Sequence, residues 1–215
     1  MILPSSKIFV FDLDDTLYSE RDFEKSGIEY VYNYFEIKHI SLVSILNNRK
    51  NWIDQIINVS NNEITIQMVL DVYRYHIPSI ELYKDSKVFL DTLFSNGYEM
   101  SLITDGRSIT QRNKLKALGI DYYFKSIVIS EEVNSEKPSE VNYRLVMNDQ
   151  PPENYIYIAD NPKKDFITPN KLGWTSICIL DRGQNVHSQN FDLQKDFLPQ
   201  FIINSFQEII LRNEN

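Results

Sequence analysis

Cysteine is the scarcest reactive residue in the chain. Cys178 is the only one among 215 residues, so no disulfide can form within the chain, and a single cysteine is compatible with a reducing compartment. Basic residues are also outnumbered, because 22 Lys and Arg stand against 30 Asp and Glu and give a formal net charge of -8. An acidic chain repels nucleic-acid backbones and anionic membrane surfaces, so we expect neither nucleic acid nor membrane as a partner.

Long apolar runs are missing as well. The first apolar run, Ile8–Phe11, ends in carboxylates, and no basic region followed by a long apolar stretch precedes it. The pattern therefore predicts neither a signal peptide nor a membrane span, and we expect a cytoplasmic protein. The three histidines, His39, His76 and His187, have no metal-binding spacing, so we assign none of them to catalysis.

Short apolar runs are present, and they predict buried strands. Helical patterns separate most of these runs, as in a parallel sheet covered on both faces. One such pattern places Ile109, Arg112, Leu115 and Leu118 on a common stripe before Gly119. The resulting order predicts an α/β fold with a Rossmann-like, doubly wound parallel sheet, followed by a terminal helix over residues 201–210. The predicted strands are 8–11, 100–103, 127–129, 155–159 and 176–180.

Residues 18–84 interrupt the alternation of strands and helices. They contain no convincing strand, and apolar residues such as Phe23, Tyr30 and Val31 repeat at helical spacing. An ordinary connection between a strand and a helix is only a few residues long. We therefore predict a small helical cap over residues 18–84, inserted into an α/β core that is formed by residues 1–17 and 85–215.

Polar residues follow the predicted strands. Asp12 and Asp14 come directly after the first strand, and residues two apart on a strand face the same side. In open α/β sheets, ligands bind beyond the carboxyl ends of the strands. The later strands bring further polar groups to that edge in chain order: Thr104-Asp105-Gly106, then Lys137, then Asp160 and Asp165.

This ordered set resembles the four motifs of the haloacid dehalogenase superfamily. A lone Asp-x-Asp is common, but all four motifs in order, each after a predicted strand, are specific. By position, the resemblance implies that Asp12 is a nucleophile that forms an aspartyl-phosphate. It implies that Asp14 is the general acid and base, with its backbone carbonyl on the metal, and that Asp165 either lies near the metal or pairs with Lys137. The implied catalytic residues are Asp12, Asp14, Thr104 and Lys137, and the implied ligands of Mg²⁺ are Asp12, Asp14, Asp160 and Asp165.

Elementary electrostatics agrees with this assignment. A phosphate monoester is a dianion, and two unit charges at about 4 Å repel by roughly 4 kcal/mol at an effective dielectric of 20. Asp12 therefore needs nearby cations to attack a phosphoryl group. Clustered carboxylates suit Mg²⁺, which would offset the repulsion, and Lys137 would add a second positive charge.

Other residues are expected to contact the substrate. Gly106 would leave the backbone open beside the phosphate, whereas the side chain of Asp15 could be structural while its amide serves the phosphoryl group. Lys163 and Lys164 are expected to be solvated. The family commonly has glycine where this chain has Ala159 and Asn134, and asparagine tolerates a left-handed conformation. The predicted substrate-binding residues are Asp15, Asp105, Gly106, Tyr18 and Arg21.

Together these observations predict an Mg²⁺-dependent phosphatase that acts on a small phosphorylated metabolite, such as a sugar phosphate or a nucleotide-like monoester. The carboxylate of Asp14 favours phosphoryl transfer over dehalogenation. A phosphomutase of the same superfamily remains open, because it uses the same carboxylate pair. A non-catalytic protein that binds a phosphorylated metabolite is the other alternative, although no motif residue is lost.

Overall fold

A computed structural model describes residues 2–3, 7–60 and 63–211 of the chain. Its main sheet has six parallel strands in the order β4-β3-β2-β5-β6-β7, and a separate parallel pair joins β1 to β8. The strands are β1 (Ile2–Leu3), β2 (Ile8–Phe11), β3 (Met100–Thr104), β4 (Ser126–Ile129), β5 (Tyr155–Ala159), β6 (Thr175–Ile179), β7 (Phe201–Ile203) and β8 (Ile210–Leu211).

Helices cover both faces of the sheet. Alternate residues of β2 point to opposite faces: Phe9 and Phe11 join a core with α5 and α6, while Ile8 and Val10 join a core with α8 and α9. This arrangement confirms the predicted Rossmann-like, doubly wound fold. The α-helices are α1 (Glu20–Tyr34), α2 (Leu42–Asn47), α3 (Trp52–Val59), α4 (Ile66–Tyr75), α5 (Lys84–Ser95), α6 (Ser108–Leu118), α7 (Ser130–Val133), α8 (Glu140–Leu145) and α9 (Ile167–Leu172).

The first four helices form a unit with its own apolar centre. Ile28, Ile45, Ile56 and Val69 are fully buried there, in a cluster separate from the two cores of the sheet. The chain enters and leaves this insertion at one place, because Tyr18 pairs antiparallel with Leu82. The backbone N–H of Tyr83 also donates to the carbonyl of Leu17 at 3.0 Å.

The predicted terminal helix is wrong. The segment forms β7, a 3₁₀ turn over Phe206–Glu208 and β8. Phe206 and Ile209 are buried against the sheet, whereas Ile202 and Ile210 are exposed. Isolated apolar residues at these spacings fit either a helix or short strands joined by a turn, and pairing with β6 and β1 selects the strands.

The predicted stripe on α6 is also wrong. Ile109 and Arg112 are exposed, whereas Gln111 and Lys114 are buried beside Leu115. The buried face of α6 therefore carries two polar side chains, and both reach toward the carboxyl ends of the central strands. Cys178, the free cysteine, is buried. None of the helices described over residues 2–3, 7–60 and 63–211 has the length and apolar character needed to cross a membrane.

Candidate active site

Asp12 lies at the carboxyl end of β2, a central strand, and is almost fully buried. Its Oδ1 accepts a hydrogen bond from the Lys137 ammonium at 2.6 Å, and its Oδ2 accepts one from Thr16 Oγ1 at 3.3 Å. Burial raises the pKa of Asp12 to about 6, although the charge of Lys137 acts in the opposite direction. The structure therefore presents a desolvated carboxylate that one ammonium holds in place.

The Lys137 side chain has no exposed surface and bridges two carboxylates. Its Nζ lies 2.6 Å from Asp12 and 2.8 Å from Asp165 Oδ1. Burial acts to lower the pKa of Lys137, but the charges of Asp12 and Asp165 outweigh it and hold that pKa well above its ordinary value. The loop before Lys137 contains Asn134, which adopts the left-handed conformation expected for it, with φ of 50°.

Asp160 and Asp165 complete an acidic cluster with Asp12, in which one carboxylate oxygen from each residue lies within 4.8 Å of the other two. Burial, with the charges of its neighbours, raises the pKa of Asp160 to about 9. One oxygen of Asp160 accepts from Asn185 Nδ2 at 2.8 Å. Both oxygens of Asp165 are engaged, one by Lys137 and the other by the backbone N–H of Asn161 at 3.1 Å.

This cluster fits a hard divalent cation. Nearby positive charge favours the ionised form of a buried carboxylate, and carboxylate oxygens are ligands that Mg²⁺ accepts. Asp12 and Asp160 line the cavity described below, whereas Asp165 does not and instead serves Lys137 and the backbone.

Asp14 lies opposite this cluster and is held by three side chains. Its Oδ1 accepts from the Lys114 ammonium at 2.7 Å and from the Tyr18 hydroxyl, while its Oδ2 accepts from Gln111 Nε2 at 2.9 Å. Burial acts to raise the pKa of Asp14, but the charge of Lys114 and the three hydrogen bonds hold it below its ordinary value.

Thr104 ends β3 beside Asp14 and is buried. Its Oγ1 accepts a hydrogen bond from the same Gln111 amide at 2.6 Å. Because that lone pair is occupied, the hydroxyl proton of Thr104 remains to be donated to another group.

The predicted substrate residues have mixed placements. Tyr18 is fully buried, and its hydroxyl donates a hydrogen bond to Asp14, so it helps to hold that carboxylate in place. The Arg21 guanidinium donates to the carbonyls of Gln184 and Asn185 and is not among the residues that line the acidic cavity described below. Gly106 has φ of 146°, and a Cβ there would meet the Gln111 side chain at 3.0 Å.

Asp15 and Asp105 organise loops around the site. Asp15 adopts φ of 54°, and its carboxylate accepts from the backbone N–H groups of Glu20 and Val186. Asp105 accepts from the backbone N–H of Lys137 at 3.1 Å and lies 3.2 Å from the Lys164 ammonium. Lys164 is therefore not the freely solvated residue that its position in the sequence predicts.

A cavity of about 80 Å³ joins these groups beneath the start of α1. Glu20 comes from the helical insertion, and burial, reinforced by the charge of Asp14, raises its pKa to about 8. Among the lining residues, Lys164 and His187 are the ones that can carry positive charge. Sequence patterns did not single out Glu20, Asn161 or His187. The cavity is lined by Asp12, Asp14, Asp15, Glu20, Asp105, Asp160, Asn161, Lys164 and His187.

Residues 9–179 match the family model of the haloacid dehalogenase-like hydrolases, and the chain belongs to that family. A glyceraldehyde 3-phosphate phosphatase from Methanocaldococcus jannaschii is 28% identical over 95% of each chain. A phosphoserine phosphatase from Thermus thermophilus is 31% identical over 47% of this chain and 41% of its own. These relatives confirm the predicted enzyme class, a phosphoric monoester hydrolase.

A solved structure shares the fold across the whole chain. The HAD-hydrolase YfnB from Bacillus subtilis, which was solved with bound magnesium, has a TM-score of 0.66 at 16% identity. The match covers 94% of this chain and 96% of that one. It confirms the fold class that the sequence predicts.

Proposed function

We propose that this chain is an Mg²⁺-dependent phosphatase that hydrolyses a small phosphorylated metabolite through an aspartyl-phosphate on Asp12. One observation carries the proposal: Asp12 is buried at the end of a central strand, with the Lys137 ammonium at 2.6 Å and the carboxylates of Asp160 and Asp165 beside it. A carboxylate in this setting is aligned by the protein and deprived of water, as a nucleophile for a phosphoryl group must be.

In the first step, an oxygen of Asp12 attacks phosphorus and the bond to the leaving oxygen breaks. Lys137 and the hydroxyl proton of Thr104 stabilise the charge on the phosphoryl oxygens. Asp14 gives a proton to the leaving alkoxide from the small fraction that is protonated, because Lys114 and the hydrogen bonds hold its pKa below the ordinary value. In the second step, the Asp14 carboxylate takes a proton from a water molecule that attacks the aspartyl-phosphate, which releases inorganic phosphate and restores Asp12.

We assign the metal to Asp12, Asp160 and the backbone carbonyl of Asp14. Bound Mg²⁺ supplies positive charge that offsets the repulsion between Asp12 and a phosphate dianion. Asp165 instead orients Lys137, since it pairs with that ammonium and does not line the cavity. The helical insertion over residues 18–84 acts as the cap in this proposal, because its Glu20 closes one side of the cavity.

The substrate that we favour is a short monoester whose leaving group carries no charge. The cavity of about 80 Å³ is small, and most of its lining groups are carboxyls. A leaving group with its own carboxylate would meet few cations there. The full-length relative from Methanocaldococcus jannaschii is a glyceraldehyde 3-phosphate phosphatase, and this supports a triose phosphate as the substrate.

Release of inorganic phosphate from 4-nitrophenyl phosphate, measured with Mg²⁺ and with EDTA, tests the reaction. We expect activity that requires Mg²⁺ and that falls by about 10⁴-fold or more in Asp12→Asn. The exposed Asp149 provides the matched control, and Asp149→Asn should retain full activity. Activity that survives EDTA or Asp12→Asn would refute the proposal, and phosphate transfer to an added sugar without release would favour a mutase.

Two substrates of equal length test the leaving group. We expect a higher kcat/KM for glycerol 3-phosphate than for 3-phosphoglycerate, whose leaving group carries a carboxylate. Glu20→Lys should raise the relative kcat/KM for 3-phosphoglycerate because it places a cation in the cavity. Glu29→Lys, farther along the same helix, should leave the ratio of the two kcat/KM values unchanged. An equal preference in the wild type would overturn this choice of substrate without affecting the reaction itself.

A further inference from the structure

Two polar residues on the buried face of α6 have no role in the chemistry described above. Gln111 and Lys114 are one helical turn apart, and they are 1% and 3% exposed. Burying an ammonium and an amide costs free energy unless both are well bonded. Their partners are the side chains of Asp14 and Thr104, the proposed acid and one of the proposed phosphoryl ligands.

Gln111 joins these two groups with a single amide. Its Nε2 lies 2.6 Å from Thr104 Oγ1 and 2.9 Å from Asp14 Oδ2. An ionised carboxylate only accepts hydrogen bonds, so the edge of the amide that faces it must be the NH₂ group. Both protons of that group are then used, one on each partner. Gly106 leaves the space that the Gln111 side chain occupies, because a Cβ there would lie 3.0 Å from it.

Lys114 fixes the other oxygen of Asp14. Its Nζ lies 2.7 Å from Asp14 Oδ1, and its side chain is 4% exposed. The same ammonium lies 4.3 Å from the ring centroid of Phe23 on α1. This aromatic face on one side and the carboxylate on the other leave the ammonium little freedom to move.

We propose that Gln111 and Lys114 are positioning residues that aim the Asp14 carboxyl at the leaving group and the Thr104 hydroxyl at the phosphoryl group. Gln111 serves both partners, whereas Lys114 serves Asp14 alone. This inference rests on the proposed phosphatase activity and deepens it. If the inference holds, the rate on alkyl phosphates, whose leaving groups are basic, depends on residues of a core helix as well as on Asp14 itself.

Leaving-group dependence is the measurement that distinguishes positioning from a merely structural role. An alkyl phosphate needs a proton on its leaving oxygen, whereas 4-nitrophenyl phosphate needs little protonation. For each variant, kcat/KM is measured on glycerol 3-phosphate and 4-nitrophenyl phosphate, because it reports the steps up to release of the leaving group. Thermal melting of each variant shows that the fold is retained.

Lys114→Met should reduce kcat/KM for glycerol 3-phosphate by about 10²-fold and that for 4-nitrophenyl phosphate by less than about 5-fold. Lys116→Met, two residues later on the exposed face of α6, is the matched control and should change neither value. Gln111→Met should also weaken inhibition by inorganic phosphate, because it releases the Thr104 hydroxyl.

The Asp14→Asn background completes the test. There Gln111→Met should cost only the part of its effect that acts through Thr104, and Lys114→Met should cost almost nothing. Equal losses on the two substrates, or full additivity with Asp14→Asn, would overturn the inference while wild-type phosphatase activity stands. A wild type without Mg²⁺-dependent activity would instead refute the proposed function.

Discussion

The acidic edge of the sheet and the helical insertion are held together by different kinds of contact. At the edge, buried charges such as Asp12, Asp165 and Lys137 are each held by hydrogen bonds of defined geometry. In the insertion, residues such as Ile28 and Ile56 pack in a hydrophobic cluster. Hydrogen bonds fix the orientation of the groups that they join, whereas apolar packing depends mainly on the buried area and on shape. Changes at the edge should therefore affect chemistry first, and changes in the insertion should affect stability first.

The largest expected effect comes from Lys137→Met. It leaves Asp12 and Asp165 facing each other without a cation, so we expect unfolding free energy to fall by about 3–5 kcal/mol. Phosphatase activity should be lost in the fraction that remains folded. Urea unfolding and phosphate release measure the two effects. Lys163→Met removes an exposed lysine nearby and should cost less than about 0.5 kcal/mol. A stable, active Lys137→Met variant would contradict the comparison between the two regions.

Ile56→Ala tests the insertion. It opens a cavity in the apolar cluster and should cost about 2–5 kcal/mol. At saturating 4-nitrophenyl phosphate and below the melting transition, kcat should stay within about 3-fold of wild type, since the edge of the sheet is untouched. Ile66→Ala, at a half-exposed position, should change both the unfolding free energy and kcat only slightly. If Ile56→Ala abolished turnover while the protein stayed folded, the division between the two regions would fail.

Asp160 links stability to pH and to metal. Its folded pKa of about 9 lies above the ordinary value of 3.8, so the folded state holds a proton that the unfolded state has lost. In EDTA, stability should therefore fall as pH rises from about 4 to about 9. Mg²⁺ at 100 times the Kd that it has at pH 8 should restore about 2.7 kcal/mol at pH 8, and the same concentration should restore less at pH 5, where protonated Asp160 binds it more weakly. Urea unfolding of wild type and Asp160→Asn checks this, and equal pH slopes in the two proteins would contradict it.

The smallest effect concerns His76, a buried polar residue within the insertion. It is buried, and its Nδ1 lies 2.5 Å from the carbonyl oxygen of Tyr73. Burial lowers its pKa below the ordinary 6.5, so the unfolded state takes up a proton first as the pH falls. The stability advantage of wild type over His76→Asn should shrink below pH 6.5, by at most about 1.4 kcal/mol per pH unit. An advantage that grows in acid would show that the ring is charged when folded.

The sequence predicts the edge of the sheet better than its surroundings for physical reasons. Continuous apolar runs distinguish the central strands, and Asp12, the proposed nucleophile, directly follows β2. Lys164 was misjudged because charged residues usually face solvent, whereas Asp105 draws this one inward.

Gln111 and Lys114 were missed because their partners are distant in the chain, with 97 and 100 residues separating them from Asp14. Their burial contradicts the usual preference of such side chains for solvent. Both residues lie on the same face of α6 as Leu115. The sequence alone does not show that this face is the buried one.

The pairing of Tyr18 with Leu82 has a consequence for how this architecture can change. Because the chain departs and returns at adjacent backbone positions, the four helices are topologically one long hairpin loop on an intact sheet. Loops of very different length can close the same gap at little extra entropic cost, about 0.6 kcal/mol for each doubling. A graft at this point can therefore exchange the helical insertion while the strand register and the residues at the edge of the sheet keep their places. If the insertion is the cap that we propose, such an exchange should change the substrate without redesign of the chemistry.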